Sequence, residues 1–276
     1  MSTPLLAVQD LVVQFPGRRG KVTEVIHGVS FDIAAGETLS LVGESGSGKT
    51  TIGRAILGLA PVSEGTVTFR EQTISNISRA RRRKIATDIQ VVFQDPYSSL
   101  NPAMTVENIL VEPLEAVGVE GGRARVRDLL DAVGLPAGSA RRYPREFSGG
   151  QRQRIAIARA LALEPALIVC DEPTSALDVT TQARVLKLLK EIQLSTGVAY
   201  LFISHDLGVV NQVSDRIGVL YQGKIVELGE AHQVSTAPRH LYTHQLQMAA
   251  PVADPRKQRE RRAERLKLLA AARAAP

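Results

Sequence analysis

Eight consecutive residues, Gly43-Glu44-Ser45-Gly46-Ser47-Gly48-Lys49-Thr50, follow the pattern G-x-x-x-x-G-K-T of a phosphate-binding loop. Glycines let backbone N–H groups turn inward around phosphate oxygens without Cβ clashes. Lys49 can reach the outer phosphates and the Thr50 hydroxyl can ligate Mg²⁺. An apolar run, Leu39 to Val42, reads as the strand before the loop. Thr51–Leu59 reads as the helix after it, and its N-terminus adds partial positive charge. Strand, loop and helix in this order argue against a plain Gly-rich turn.

A second motif is Leu167-Ile168-Val169-Cys170-Asp171-Glu172, an apolar strand ending in two acids. A carboxylate at a strand tip can hold Mg²⁺, directly or through water, and one beside it can orient or deprotonate an attacking water. An Asp-Glu pair is weakly specific alone. With a phosphate loop about 120 residues upstream it points to phosphoryl transfer. Cys170 lies inside the apolar run and reads as core packing.

These groups need a scaffold. Strands are expected at Leu5–Phe15, Val25–Ile33, Leu39–Gly43, Thr66–Arg70, Ile89–Gln94, Leu167–Asp171, Ala199–Ser204 and Ile217–Tyr221. Several are unbroken apolar runs, as in strands covered on both faces. Val179–Gln193 predicts a helix with Val185, Leu186, Leu189 and Ile192 on one face. Residues 105–163 look largely helical and interrupt the alternation, which suggests a helical subdomain inserted into an α/β core.

Composition bounds the class. The chain has 276 residues, enough for one or two domains, with 44% hydrophobic and 22% charged residues, as in soluble globular proteins. No apolar run approaches the ~18 residues of a membrane helix, and no secretory signal pattern is visible at the N-terminus. The single cysteine, Cys170, excludes an internal disulfide framework, so a cytosolic setting is expected. The net charge of +6 is a property of residues 256–276, where eight basic residues face two acids. Residues 1–255 are formally neutral, and nucleic acid is not an expected partner. The tail reads as an exposed basic helix with Leu266, Leu268 and Leu269 on a weak apolar side. The run Arg79–Lys84 reads as a solvated helix face.

Phe147-Ser148-Gly149-Gly150-Gln151, followed by the helix Ile155–Ala162, resembles the signature of ATP-binding-cassette ATPases. The family's other elements follow in order. Gln94 sits at a strand end like the Q-loop glutamine, Ser175-Ala176-Leu177-Asp178 matches the D-loop, and His205 follows strand Ala199–Ser204 like the switch histidine. Phe15 stands where an aromatic stacks on adenine, with core packing as the other reading. The likeness covers residues 5 to about 230. It implies a P-loop NTPase core of class α/β with an N-terminal antiparallel β element and an inserted helical signature subdomain. The core would be 1–94 and 165–236, the subdomain 95–164, and a C-terminal extension with a basic tail 237–276.

The resemblance implies the site as well. ATP and Mg²⁺ would be held by Phe15, Gly43, Ser45, Gly46, Gly48, Lys49, Thr50 and Thr51, with Thr50, Gln94 and Asp171 about the metal. Glu172, His205 and Gln94 would act in hydrolysis. Ser148, Gly149, Gly150, Gln151 and Asp178 would serve the nucleotide of a second, identical or paralogous, ATPase subunit in a head-to-tail dimer.

Two stretches, Val92–Pro102 and Pro238–Leu246 with Pro251–Pro255 after it, are similar to the oligopeptide, dipeptide and nickel importer subgroup. Leu241 replaces the usual proline of its His-Pro-Tyr-Thr pattern, so a different local turn is expected. The subgroup implies two integral-membrane permeases, contacted through residues 95–113, and an extracytoplasmic solute-binding protein. The chain would then be peripheral at the cytoplasmic face of the membrane. A plain Pro/Asn-rich surface loop is the other reading of 95–102. An accessory ATPase of a soluble complex, of the carbon–phosphorus lyase type, is the rival function. A chromosome-type cassette protein would show sustained heptads, which are absent here.

Overall fold

Unbroken apolar strands leave no polar face for water, so they must lie inside a sheet covered on both sides. The structure, a computed structural model, describes residues 3–17 and 21–249 and meets that demand. In chain order the elements are β1 (Leu6–Pro16), β2 (Val22–Ile33), β3 (Thr38–Val42), α1 (Lys49–Ile56), β4 (Glu64–Phe69), β5 (Gln72–Thr73), α2 (Arg79–Ile85), β6 (Ile89–Val92), α3 (Pro96–Ser99), α4 (Val106–Ala116), α5 (Gly122–Ala132), α6 (Gly149–Leu161), β7 (Leu167–Asp171), α7 (Val179–Thr196), β8 (Ala199–Ser204), α8 (Leu207–Val210), β9 (Arg216–Tyr221), β10 (Lys224–Glu230), α9 (Ala231–Thr236) and α10 (Leu241–Ala249).

Six strands form one sheet in the order β10-β9-β3-β8-β7-β6. All neighbours are parallel except the β9–β10 hairpin. The other sheet, β2-β1-β4-β5, is antiparallel throughout. Strand alternation splits the core in two. Leu39, Leu41, Leu167, Val169, Leu201 and Ile203 face α1 and the antiparallel sheet. Ile168, Cys170, Tyr200, Phe202, Ile217 and Val219 face the helical side, whose cluster continues through α4, α5, α6 and α7. Cys170 is fully buried, and burial pushes its thiol far up, so it is inert packing as expected.

Several boundaries differ from the sequence reading. β6 stops at Val92, so Gln94 lies two residues beyond the strand rather than at its end. β6 is an edge strand, its partner β7 ends at Asp171, and the last paired residues are Val92 and Cys170. The first helix runs Lys49–Ile56, not to Leu59, because Gly58 at φ +73° ends it. The signature helix begins at Gly149, and a short helix after His205 covers Leu207–Val210, with Asp206 as its N-cap. Two strands, β5 and β10, were not anticipated. Leu241, which stands where the subgroup has proline, opens α10. The run Arg79–Lys84 is an exposed helix face except for half-buried Arg82, which donates to the carbonyls of Ile56 and Ile74. Residues 251–255 and the basic tail 256–276 lie outside the described residues.

Candidate functional site

Parallel sheets gather ligands beyond the carboxyl ends of their strands, at the point where strand order reverses. Here β3 is that strand, flanked by β8 and β9. Register fixes what meets at this edge: Val42 pairs with Ser204, Asp171 with Ile203, and Val92 with Cys170. The residues following these four strands are the phosphate loop, Glu172, Gln94 and His205.

The loop after β3 is held tightly. A Cβ at Gly43 would strike the Leu220 carbonyl of β9, and Gly48 has φ +107° with its open side against Ile26. Only glycine fits both positions. Glu44, Ser45 and Gly46 are exposed, and the N–H groups of Ser45 and Gly46 donate to no carbonyl among the described residues. Lys49 is 4% exposed, and its Nζ donates to the carbonyls of Gly43 and Glu44, both at 2.8 Å, and to Ser47 Oγ at 3.5 Å. Burial holds the Lys49 ammonium below its ordinary pKa, while Glu172, Asp171 and Glu44 oppose that shift.

Thr50 Oγ1 donates to Asp171 Oδ1 at 2.9 Å and so joins the loop helix to the tip of β7. Burial raises the Asp171 carboxyl, the Thr50 bond opposes, and the Glu172 charge adds to the rise. Glu172 then leaves the strand at φ +48°, a left-handed conformation costly for a side chain of its size, with its N–H pinned to the Ile203 carbonyl at 3.0 Å. That turn aims its carboxylate between two partners. Gln94 Nε2 donates to Glu172 Oε2 at 3.2 Å, and His205 Nδ1 lies 3.3 Å from the same oxygen. Gln94, Glu172 and His205 therefore form one cluster beside the Lys49–Thr50–Asp171 group.

The remaining candidates lie apart. Phe15 is half-buried against the core under the antiparallel sheet. Ser148 caps α6 in a reciprocal box with Gln151: Gln151 N–H donates to Ser148 Oγ at 3.4 Å, and Ser148 N–H to Gln151 Oε1 at 3.0 Å. Ser148 is exposed, and no hydrogen bond links 148–151 to the loop 43–50 among the described residues. A Cβ at Gly150 would strike Thr181 of α7, so close packing sets that glycine. Asp178 caps α7, accepting the Thr181 N–H at 3.0 Å, and Val179 beside it is 82% exposed. Beyond Gln94, α3 is tied to the signature helix. The Arg152 guanidinium lies 3.9 Å from the centre of the Tyr97 ring, and Arg159 donates to the Ser99 carbonyl at 2.5 Å.

The family described as "ABC transporter" matches residues 26–175, more than half of the chain. The chain belongs to the ABC transporter family. Solved members share the fold. One, titled a dimeric structure of a post-hydrolysis state of the ATP-binding cassette MJ0796 bound to ADP and Pi, is 29% identical at TM-score 0.73, covering 82% of this chain and 98% of that one. Another, cbiO1 from Clostridium perfringens, described as part of the ABC transporter complex cbiONQ, is 26% identical at TM-score 0.75, covering 89% and 96%. Among curated relatives, the glutathione import ATP-binding protein GsiA of Escherichia coli (strain K12) is 50% identical over 268 residues, 94% of this ABC chain. Its namesake in Pectobacterium atrosepticum is 50% identical over 267 residues, 93% of the chain. The chain spans 43% of the length of these curated relatives.

Proposed function

We propose that this ABC chain is an ATP-hydrolysing subunit that energises a membrane importer of peptides or related small solutes. The observation that carries the reading is the convergence at one sheet edge of Lys49, the Thr50–Asp171 pair, and Glu172 held between Gln94 and His205. The half-identical relatives named as glutathione import proteins support a short peptide as cargo. The accessory-enzyme reading has no observation in its favour.

In this reading the N–H groups of Ser45, Gly46 and Gly48 and the ammonium of Lys49 receive the ATP phosphates. Lys49 exchanges its loop carbonyls for charged oxygens as the nucleotide arrives. The half-exposed ring of Phe15 stacks on adenine, and Thr51 adds a hydroxyl at the helix start. Thr50, Asp171 and Gln94 offer hard oxygen donors, a set that suits Mg²⁺, which takes few protein ligands and keeps several waters. Bound there, Mg²⁺ would neutralise charge on the phosphates. Water attacks the γ-phosphorus and the bond to the ADP oxygen breaks. Glu172 orients that water and takes its proton, while Gln94 and His205 hold the carboxylate, with His205 also reaching the γ-phosphate.

The signature residues Ser148, Gly149, Gly150 and Gln151, with Asp178, make no hydrogen bond to this chain's own loop among the described residues and serve the nucleotide of a second ATPase subunit, identical or paralogous. The N-terminus of α6 suits a γ-phosphate. Residues 1–94 and 165–236 act as the nucleotide core, 95–164 as the helical subdomain, and 237–276 as the extension. The segment 95–113 docks two permeases, fed by an extracytoplasmic solute-binding protein. The Tyr97–Arg152 and Ser99–Arg159 contacts would pass that docking to the signature helix. The subunit sits peripherally at the cytoplasmic face of the membrane; among the described residues no helix is long and apolar enough to cross one. Co-purification with two integral-membrane permeases, in a complex that releases phosphate from ATP, is the expected result. Recovery with a soluble enzyme complex instead, or no phosphate release, would overturn the proposal.

A further inference from the structure

The C-terminal segment beyond β9 supplies none of the groups assigned above, yet it grips the phosphate loop from outside at two points. The Gly223 N–H, in the β9–β10 turn, donates to the Ser47 carbonyl at 3.0 Å. The Glu44 N–H donates to the hydroxyl of Tyr242, on α10, at 2.9 Å across 198 positions of sequence. We infer that Tyr242 is a positioning residue of the phosphate loop: its hydroxyl holds the Glu44 amide, so that the docking of α10 sets the loop's affinity for nucleotide. This rests on reading 43–50 as the nucleotide site.

The contact is built rather than incidental. Tyr242 is 6% exposed, and its ring lies 4.3 Å, centre to centre, from that of Tyr221, the last residue of β9. Burial raises the phenol above its ordinary pKa, so the hydroxyl stays neutral. The start of α10 is fixed by one carboxylate: Glu227, in β10, accepts the Arg239 N–H at 2.9 Å and the His240 N–H at 3.0 Å. His240 Nδ1 in turn accepts the Tyr242 N–H at 3.1 Å. Leu246, one turn further, packs against the helical-side core. Glu227, His240 and Tyr242 thus run as one relay from the sheet edge to Glu44. Glu44 itself is exposed, and a loop fixed before its ligand arrives loses less freedom on binding.

The test is a titration of the 276-residue chain with a fluorescent ATP analogue, together with amide hydrogen exchange of the segment 43–48. Tyr242→Phe keeps the ring stack and removes only the acceptor. Its nucleotide Kd is expected to rise about fivefold, the equivalent of one ordinary hydrogen bond, with faster exchange in 43–48 and an unchanged Kd for the control Tyr221→Phe. A wild-type Kd for Tyr242→Phe, while Lys49→Met still weakens binding, overturns the positioning role and leaves the nucleotide site standing. Wild-type binding by Lys49→Met overturns the site reading itself. Should Tyr242→Phe not fold, Glu227→Gln, which loosens the α10 start without touching the loop, is expected to weaken binding in the same direction, and an unchanged Kd there also overturns the role.

Discussion

Replacing Lys49 with methionine keeps the buried stem and removes the ammonium, so it isolates the charge that the loop presents to phosphate. In the nucleotide-free loop that ammonium rests on the carbonyls of Gly43 and Glu44 at 2.8 Å each. On binding it would trade carbonyls for phosphate oxygens bearing full charge. A hydrogen bond to a charged group contributes about 1.5–3 kcal/mol. A Coulomb estimate for unit charges about 4 Å apart at an effective dielectric of about 20 gives about 4 kcal/mol. The two bracket about 3 kcal/mol, roughly a hundredfold in Kd. Equilibrium titration with a fluorescent ATP analogue measures it, with circular dichroism to establish that the variant is folded. Acid–base behaviour supplies an independent arm. Burial depresses the Lys49 pKa, so wild-type affinity should decline with rising pH before the ordinary lysine range, whereas the methionine variant should not follow that decline. An affinity within about twofold of wild type, or the same alkaline decline in both proteins, would show that the Lys49 charge does not hold the nucleotide.

Ser148→Arg should leave the ATP affinity of the isolated chain unchanged and abolish ATP-dependent dimer formation in gel filtration, because Ser148 is exposed and bonds only within its own helix turn. Glu227→Gln should destabilise the fold at neutral pH by about 2 kcal/mol, the value of one bond to a charged acceptor. Burial pulls the Glu227 carboxyl upward, but the Arg239 and His240 N–H groups win and hold it below the ordinary value. A depressed native pKa stabilises the protein above the unfolded pKa and is lost as pH falls through the native one. The gap between wild type and variant in urea melts should therefore close under acid.

Much of the site was legible because its residues end strongly patterned strands. The alternation-free runs Leu167–Asp171 and Ala199–Ser204 gave their strand bounds directly, and with them the placement of Glu172 and His205 at one edge. Gln94 was placed at a strand end because the apolar run continues through Phe93. Pairing stops earlier: the last pair of β6 is Val92 with Cys170, one residue short of the β7 end at Asp171. The signal for β10 lies in Gln222-Gly223 between two apolar runs: both residues take positive φ, 46° and 76°, as a two-residue hairpin requires. The turn into β5 uses Arg70 and Glu71, also at positive φ, 46° and 64°, and residues so ill-suited to that conformation give no warning. The Tyr242–Glu44 bond had no local signal at all. It depends on the packing of α10, which a reading by periodicity and spacing cannot reach.

We propose that Glu172, at the tip of β7 and held between Gln94 and His205, drives hydrolysis of ATP bound at the loop 43–50. Glu172→Gln keeps the shape and removes the charge that polarises water. Phosphate release should fall by at least about a hundredfold, the usual weight of a positioned base, while ATP binding persists and an ATP-bound dimer accumulates. Hydrolysis by Glu172→Gln at the wild-type rate would contradict the account.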